Sequence, residues 1–250
     1  MADTLRFSPS AGWDEVRQLL GREMQLLVAI AGVFFLLPGL ALSFLLPPIE
    51  DISSLASIMA AIQPYLPLII LVSLVQMVGQ LAIWTLVMAS DRPTVGEAIK
   101  AALLFLPFYF LINILTNLIV GAGLVLFIIP GLYLACRLAP VGAIAINESI
   151  RNPLTAIQRS FQVTKSNALP IFAFLLIVGI VFLLISVAVS FVFGTIFAIS
   201  GLEMAPGGTG TALLAVITGI VSAAGTTIFA LMQVAIYRQL TGAGTPEVFA

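Results

Sequence analysis

Arg137 is the ion in this chain most capable of specific chemistry, because it interrupts the apolar run Leu124–Ile146. A guanidinium at the centre of a bilayer costs about 2.5–3.5 kcal/mol even on insertion scales. Two readings fit: the side chain snorkels to nearby headgroups from a helix that ends at Pro140, or it pairs with Glu148 or a lipid phosphate at a break there. Glu148, Arg151, Arg159 and Lys165 follow closely in sequence. Together with Arg137 they form the candidate set for contact with lipid or a partner protein.

Intramembrane amides are the second resource. Gln76 and Gln80 share a helical face, as do Asn113 and Asn117. In hydrocarbon such groups ordinarily hydrogen-bond between helices; a polar path for solute is the alternative. Pro130-Gly131 falls in the middle of its apolar run and predicts a kink there. Transporters place substrate sites at similar interruptions, and for this pair packing is the simpler use. In the last apolar run, Ala215, Gly219 and Ala223 repeat at i+4 between Thr211 and Thr227. This smooth stripe predicts close packing against the Ser186, Ser190 and Gly194 face of the preceding helix, or against another subunit.

Other chemistries lack their residues. The chain has no histidine and one cysteine, Cys136, so the usual metal, haem and disulfide frameworks cannot be built. Gly207-Gly-Thr-Gly210 lacks the lysine of a phosphate-binding loop. No nucleophile and base pair is recognisable, and no acid lies deep in an apolar run to carry protons. The expectation is a protein without catalytic residues, metal or cofactor. A net charge of −1 points away from nucleic acid.

The elements that must position these residues are membrane helices. A chain that is 61% hydrophobic and 8% charged, with mean hydropathy +1.19, departs far from the roughly 25% charged content of soluble domains. Apolar runs of at least the ~20 residues needed to cross hydrocarbon are expected at about Met24–Leu46, Tyr65–Ser90, Ala101–Val120, Leu124–Ile146, Ala168–Ile199 and Ala212–Leu240. The fold class is therefore all-α: a polytopic membrane protein with six transmembrane helices in one integral membrane domain. Gly121-Ala-Gly123 leaves the third and fourth helices a tight hairpin, and Ile52–Ile62 reads as a short surface helix.

All ten Lys and Arg residues lie at one end of these runs. The connections Pro47–Pro64 and Gly201–Thr211 carry Glu50, Asp51 and Glu203 but no cation. The positive-inside bias then places both termini in the cytoplasm, with the first helix a retained anchor. Segments 13–20, 96–103 and 154–161 align without gaps before the first, third and fifth helices. Each reads as a cytoplasmic amphipathic helix preceding a transmembrane hairpin, giving units at about 11–90, 94–148 and 152–240 and a tail at 241–250. Their apolar faces, Trp13, Val16 and Leu20 in the first and Leu154, Ile157 and Phe161 in the third, are expected to face lipid. Thr94 with Glu97, and Asn152 before Pro153, supply helix starts.

Thr94-Val-Gly-Glu-Ala98, Ile128-Ile-Pro-Gly-Leu-Tyr133 with Arg137, and Glu148 followed by Pro153-Leu-Thr-Ala156 and Arg159-Ser160 resemble the YciC-like bacterial inner-membrane family and the related membrane domain of glycerophosphoryl diester phosphodiesterases. The resemblance covers about a third of the chain. It implies an inner-membrane protein without an established activity, and the phosphodiesterase chemistry does not carry over, because no residues here correspond to that active site. Ser166-Asn-Ala-Leu169 stands where relatives often have aromatic and basic residues. The expected function is non-enzymatic organisation of membrane lipids, anionic ones included, or of membrane-protein partners or further copies of the chain. Transport of a small or lipid-like solute is the alternative.

Overall fold

The computed structural model describes residues 6–47, 53–89 and 93–242, and is all-α with no strand among them. Six helical stretches are long and apolar enough to cross a membrane, as the hydropathy pattern requires. The first combines α1 (Pro9–Ala31), a π-helical turn (Gly32–Leu36) and α2 (Leu37–Leu45). After the short α3 (Leu55–Ile62), which matches the expected connecting helix and is capped by Ser54 accepting from the Ser57 amide, α4 (Leu66–Met88) returns.

Next, α5 (Val95–Leu126) and α6 (Ile128–Leu138) form a hairpin, α7 (Val141–Asn147) and α8 (Pro153–Val163) are short, and α9 (Ala168–Ile199) and α10 (Thr209–Thr241) complete the bundle. The core gathers around α4, α7 and α10. There Trp84 is fully buried, donates its indole N–H to the Ala230 carbonyl at 3.1 Å and meets Tyr109 edge-on.

The helix starts follow the local code. Thr94 accepts from the Glu97 amide while Glu97 accepts from the Thr94 amide, a reciprocal capping box. Asn152 accepts from the Leu154 amide, with Pro153 in the first turn of α8.

The three-unit scheme is altered. Only the third amphipathic segment is a separate helix, α8. The first runs into its membrane span through a single non-helical residue, Glu23 (φ −117°, ψ 19°). The second is continuous with its span in α5, since Glu97-Ala-Ile-Lys-Ala-Ala102 offers good helix formers and no breaker. Nor do the apolar faces all meet lipid: Val16 and Ile157 are buried in the protein core, while Trp13 and Leu154 remain exposed. A short amphipathic helix buries its stripe against whatever apolar surface it reaches first, and here that surface is the bundle.

The α5–α6 turn also shifts. Gly121-Ala-Gly123 stays helical, and Phe127 alone turns the chain in an extended conformation (φ −157°, ψ 139°). Glycine serves close approach instead: a Cβ on Gly131 would lie 2.4 Å from the Leu124 nitrogen. Pro130 becomes the third residue of α6, where no intrahelical N–H bond is lost. The expected mid-span kink at Pro130-Gly131 is therefore absent, and the interruption falls at Ala139-Pro140, between α6 and α7.

Candidate functional site: a polar clamp and an intramembrane cavity

The sequence-selected charges divide into two groups. Glu148 accepts from Arg159 Nε at 2.8 Å and Nη2 at 3.0 Å, a bidentate pair. The hydrogen bond with Glu148 pushes the Arg159 guanidinium further toward its charged form. Tyr237 extends the cluster, taking a 2.7 Å hydrogen bond from Asn147 Nδ2 and lying 3.4 Å from Glu148 Oε1.

Arg137 does not pair with Glu148, whose carboxylate is occupied by Arg159. Its Nε donates to Thr164 Oγ1 at 2.8 Å, and its terminal nitrogens donate to the Phe161 carbonyl and the Tyr133 hydroxyl. Both neighbouring rings stack on the guanidinium, Phe161 at 5.0 Å and Tyr133 at 5.4 Å. Ser160 donates to the Arg137 carbonyl at 2.7 Å, so α8 is clamped to the end of α6 from both sides. Arg137, Glu148 and Arg159 are thus a structural clamp. Arg151, over the Phe108 ring at 5.4 Å, and Lys165 are the exposed cations of the set.

The small-residue stripe packs, but against a different helix than expected. A Cβ on Gly219 would lie 3.1 Å from Leu36 Cδ1 and 3.4 Å from Leu40 Cδ2. Ala215, Gly219 and Ala223 therefore face the first crossing, where they line a cavity of about 320 Å³ with Gln76. The contact of α10 with α9 uses Gly225, seated against Phe182. A smooth face permits close approach without specifying which neighbour approaches.

The amides converge on a larger space. A cavity of about 620 Å³ lies among α4, α5, α6, α7, α9 and α10, with Gln80, Tyr109, Asn113, Thr116, Asn117 and Gln233 supplying its polar groups. Aliphatic and aromatic side chains such as Leu132, Phe172, Leu183 and Phe229 supply most of the rest. Of the described residues that line it, none is charged. Tyr109 donates to Gln80 Oε1 at 3.0 Å, an interhelical bond of the anticipated kind. Asn117 instead donates within α5, to the Asn113 carbonyl at 2.8 Å and Oδ1 at 2.9 Å.

Two members escaped sequence reasoning. Gln233 is only 5% exposed, and its amide has no hydrogen-bond partner among the described residues. The Thr116 hydroxyl is buried without a partner. Gln233 had a signal, being the lone amide between Thr211 and Tyr237; Thr116 had none.

Pockets of roughly 300–1,000 Å³ with mostly apolar walls and a few convergent polar groups are the usual form of small-molecule sites, and this cavity has that form. Among the described residues, no cluster of acidic or cysteine side chains could hold a metal ion. No family model, curated protein or solved structure matches the chain.

Proposed function

We propose that this is a non-enzymatic protein of the bacterial inner membrane that holds a membrane lipid in the cavity between α5 and α9, with the basic end of the bundle in the cytoplasm. The observation that carries the reading is the combination of an apolar-walled space of about 620 Å³ with the unpaired Thr116 hydroxyl and the amide of Gln233 inside it. In this reading the lipid contact lies inside the bundle, which is supported by the apolar faces of α1 and α8 being partly taken up by internal packing. Arg151 and Lys165 add an exposed basic surface suited to anionic headgroups. Kinship with the YciC-like family is part of the same proposal.

The break at Ala139-Pro140 borders the cavity, which favours movement of a lipid-like solute as the second reading. The test is lipid identification after gentle solubilisation, comparing the parent with Gly179→Phe. Gly179 lines the cavity and an added Cβ there meets nothing within 4 Å, so a larger side chain can be introduced at the cavity wall without a clash at its base. Enrichment of one lipid over the bulk membrane, lost in Gly179→Phe, is expected. A bound composition equal to the bulk membrane in both proteins would refute the reading.

A further inference from the structure

Resting on the lipid-binding reading, we infer that the cavity selects an uncharged lipid whose head carries hydroxyl and ester groups, of the diacylglycerol class, over a phospholipid with the same chains. No Lys, Arg, Asp or Glu is among the cavity's described lining residues, and Arg137 nearby is already held by Thr164, Phe161 and Tyr133. A phosphate drawn into such a space would lose its hydration without gaining a cation, and a buried unpaired charge is far costlier than a buried neutral polar group.

The polar groups that are present suit a neutral head. Gln233 presents both donor and acceptor from a residue 5% exposed, and the Thr116 hydroxyl is buried and unmatched. Gln80 uses its carbonyl oxygen for Tyr109, which leaves its NH₂ as a donor. A hydroxyl and ester carbonyls match this set group for group. Buried polar atoms are rarely left unpaired in a finished structure, and the Thr116 hydroxyl, buried without a partner on the cavity wall, is one that a ligand in this space can complete.

Entry is from the side. The lining residues Leu176 and Ile180 of α9 and Asn117 of α5 are exposed at the bundle surface, so the space opens toward the lipid-facing side. The chains of a lipid can therefore remain in the bilayer while its head reaches Gln233.

The test uses the full chain in phosphatidylethanolamine–phosphatidylglycerol nanodiscs doped with either of two photo-crosslinking probes: a diacylglycerol with a diazirine in one chain, or the phosphatidic acid with identical chains. Labelling by diacylglycerol is expected to exceed that by phosphatidic acid about tenfold, to fall about tenfold in Gln233→Leu as expected for one lost hydrogen bond, and to vanish in Gly179→Phe. Removing an unpaired amide should also raise the melting temperature of ligand-free Gln233→Leu, which controls for misfolding and would not follow if Gln233 were a packing residue. Equal or stronger labelling by phosphatidic acid, still abolished by Gly179→Phe, overturns the neutral-head inference while leaving lipid binding intact. Unchanged diacylglycerol labelling in Gln233→Leu also overturns it. If neither probe gives labelling sensitive to Gly179→Phe, the lipid-binding reading falls, and this inference with it.

Discussion

Glu148 and Arg159 meet in a bidentate ion pair across the connection from α7 to α8. The pair ties α8 back to the end of α7 across a tight connection in which Ser149, beside Glu148, adopts a left-handed φ of 53°. Through α8 the same geometry determines where Thr164 and the Phe161 carbonyl meet Arg137.

A double-mutant cycle on Glu148→Gln and Arg159→Gln should give a coupling free energy of about 1 kcal/mol, as expected for a partly exposed but bidentate pair. Thermal melting in detergent is the measurement. Additive single effects would mean that the pair is an incidental surface contact.

The α5–α6 hairpin should depend on one glycine and not on its neighbour. Gly131→Ala forces a methyl into the Leu124 backbone and is expected to cost about 1–3 kcal/mol. Gly121 has nothing within 4 Å of an added Cβ, so Gly121→Ala should be neutral or stabilising by up to about 1 kcal/mol through helix propensity. Equal destabilisation would place the turn at Gly121–Gly123 after all.

Gly219→Leu is expected to disturb folding more than Leu213→Ala. The larger side chain must separate α10 from Leu36 and Leu40, and overpacking typically costs about 1–3 kcal/mol, whereas Leu213 is 48% exposed. Detergent melting of both variants decides it, and a smaller loss for Gly219→Leu would remove the packing argument.

Reporter fusions test the orientation. Fusions after Asn152 and at the C-terminus should report the cytoplasm, and fusions at Ser54 and Pro206 the opposite side, because the cations collect at one end of the bundle. A cytoplasmic signal from Ser54 or Pro206 would invert or break this topology. Asp91 and Arg92, in the connection between α4 and α5, lie outside the described residues, and a fusion at Asp91 should likewise report the cytoplasm.

By itself the sequence determined the class of fold and most helix beginnings. Hydrophobicity summed over ~20 residues and a cap read over four are local quantities, so six apolar helices, the Thr94 capping box and the Asn152-Pro153 start were all legible before any contact was known. Gln80, Asn113 and Asn117 were legible as polar groups in apolar surroundings.

Only the tertiary structure decided which of these residues meet. Glu148 had three arginines within reach in sequence, Arg137, Arg151 and Arg159, and packing of α8 gave it Arg159. The Ala215–Gly219–Ala223 stripe could have accepted any smooth neighbour, and the bundle placed the first crossing there. Pro130 was expected in mid-helix until the turn at Phe127 put it in a first turn, where a missing N–H has no consequence. Above all, the cavity has no linear signature. Its polar lining comes from α4, α5 and α10, and Gln233 becomes a candidate binding residue only because helix packing leaves its amide unpaired beside an apolar space.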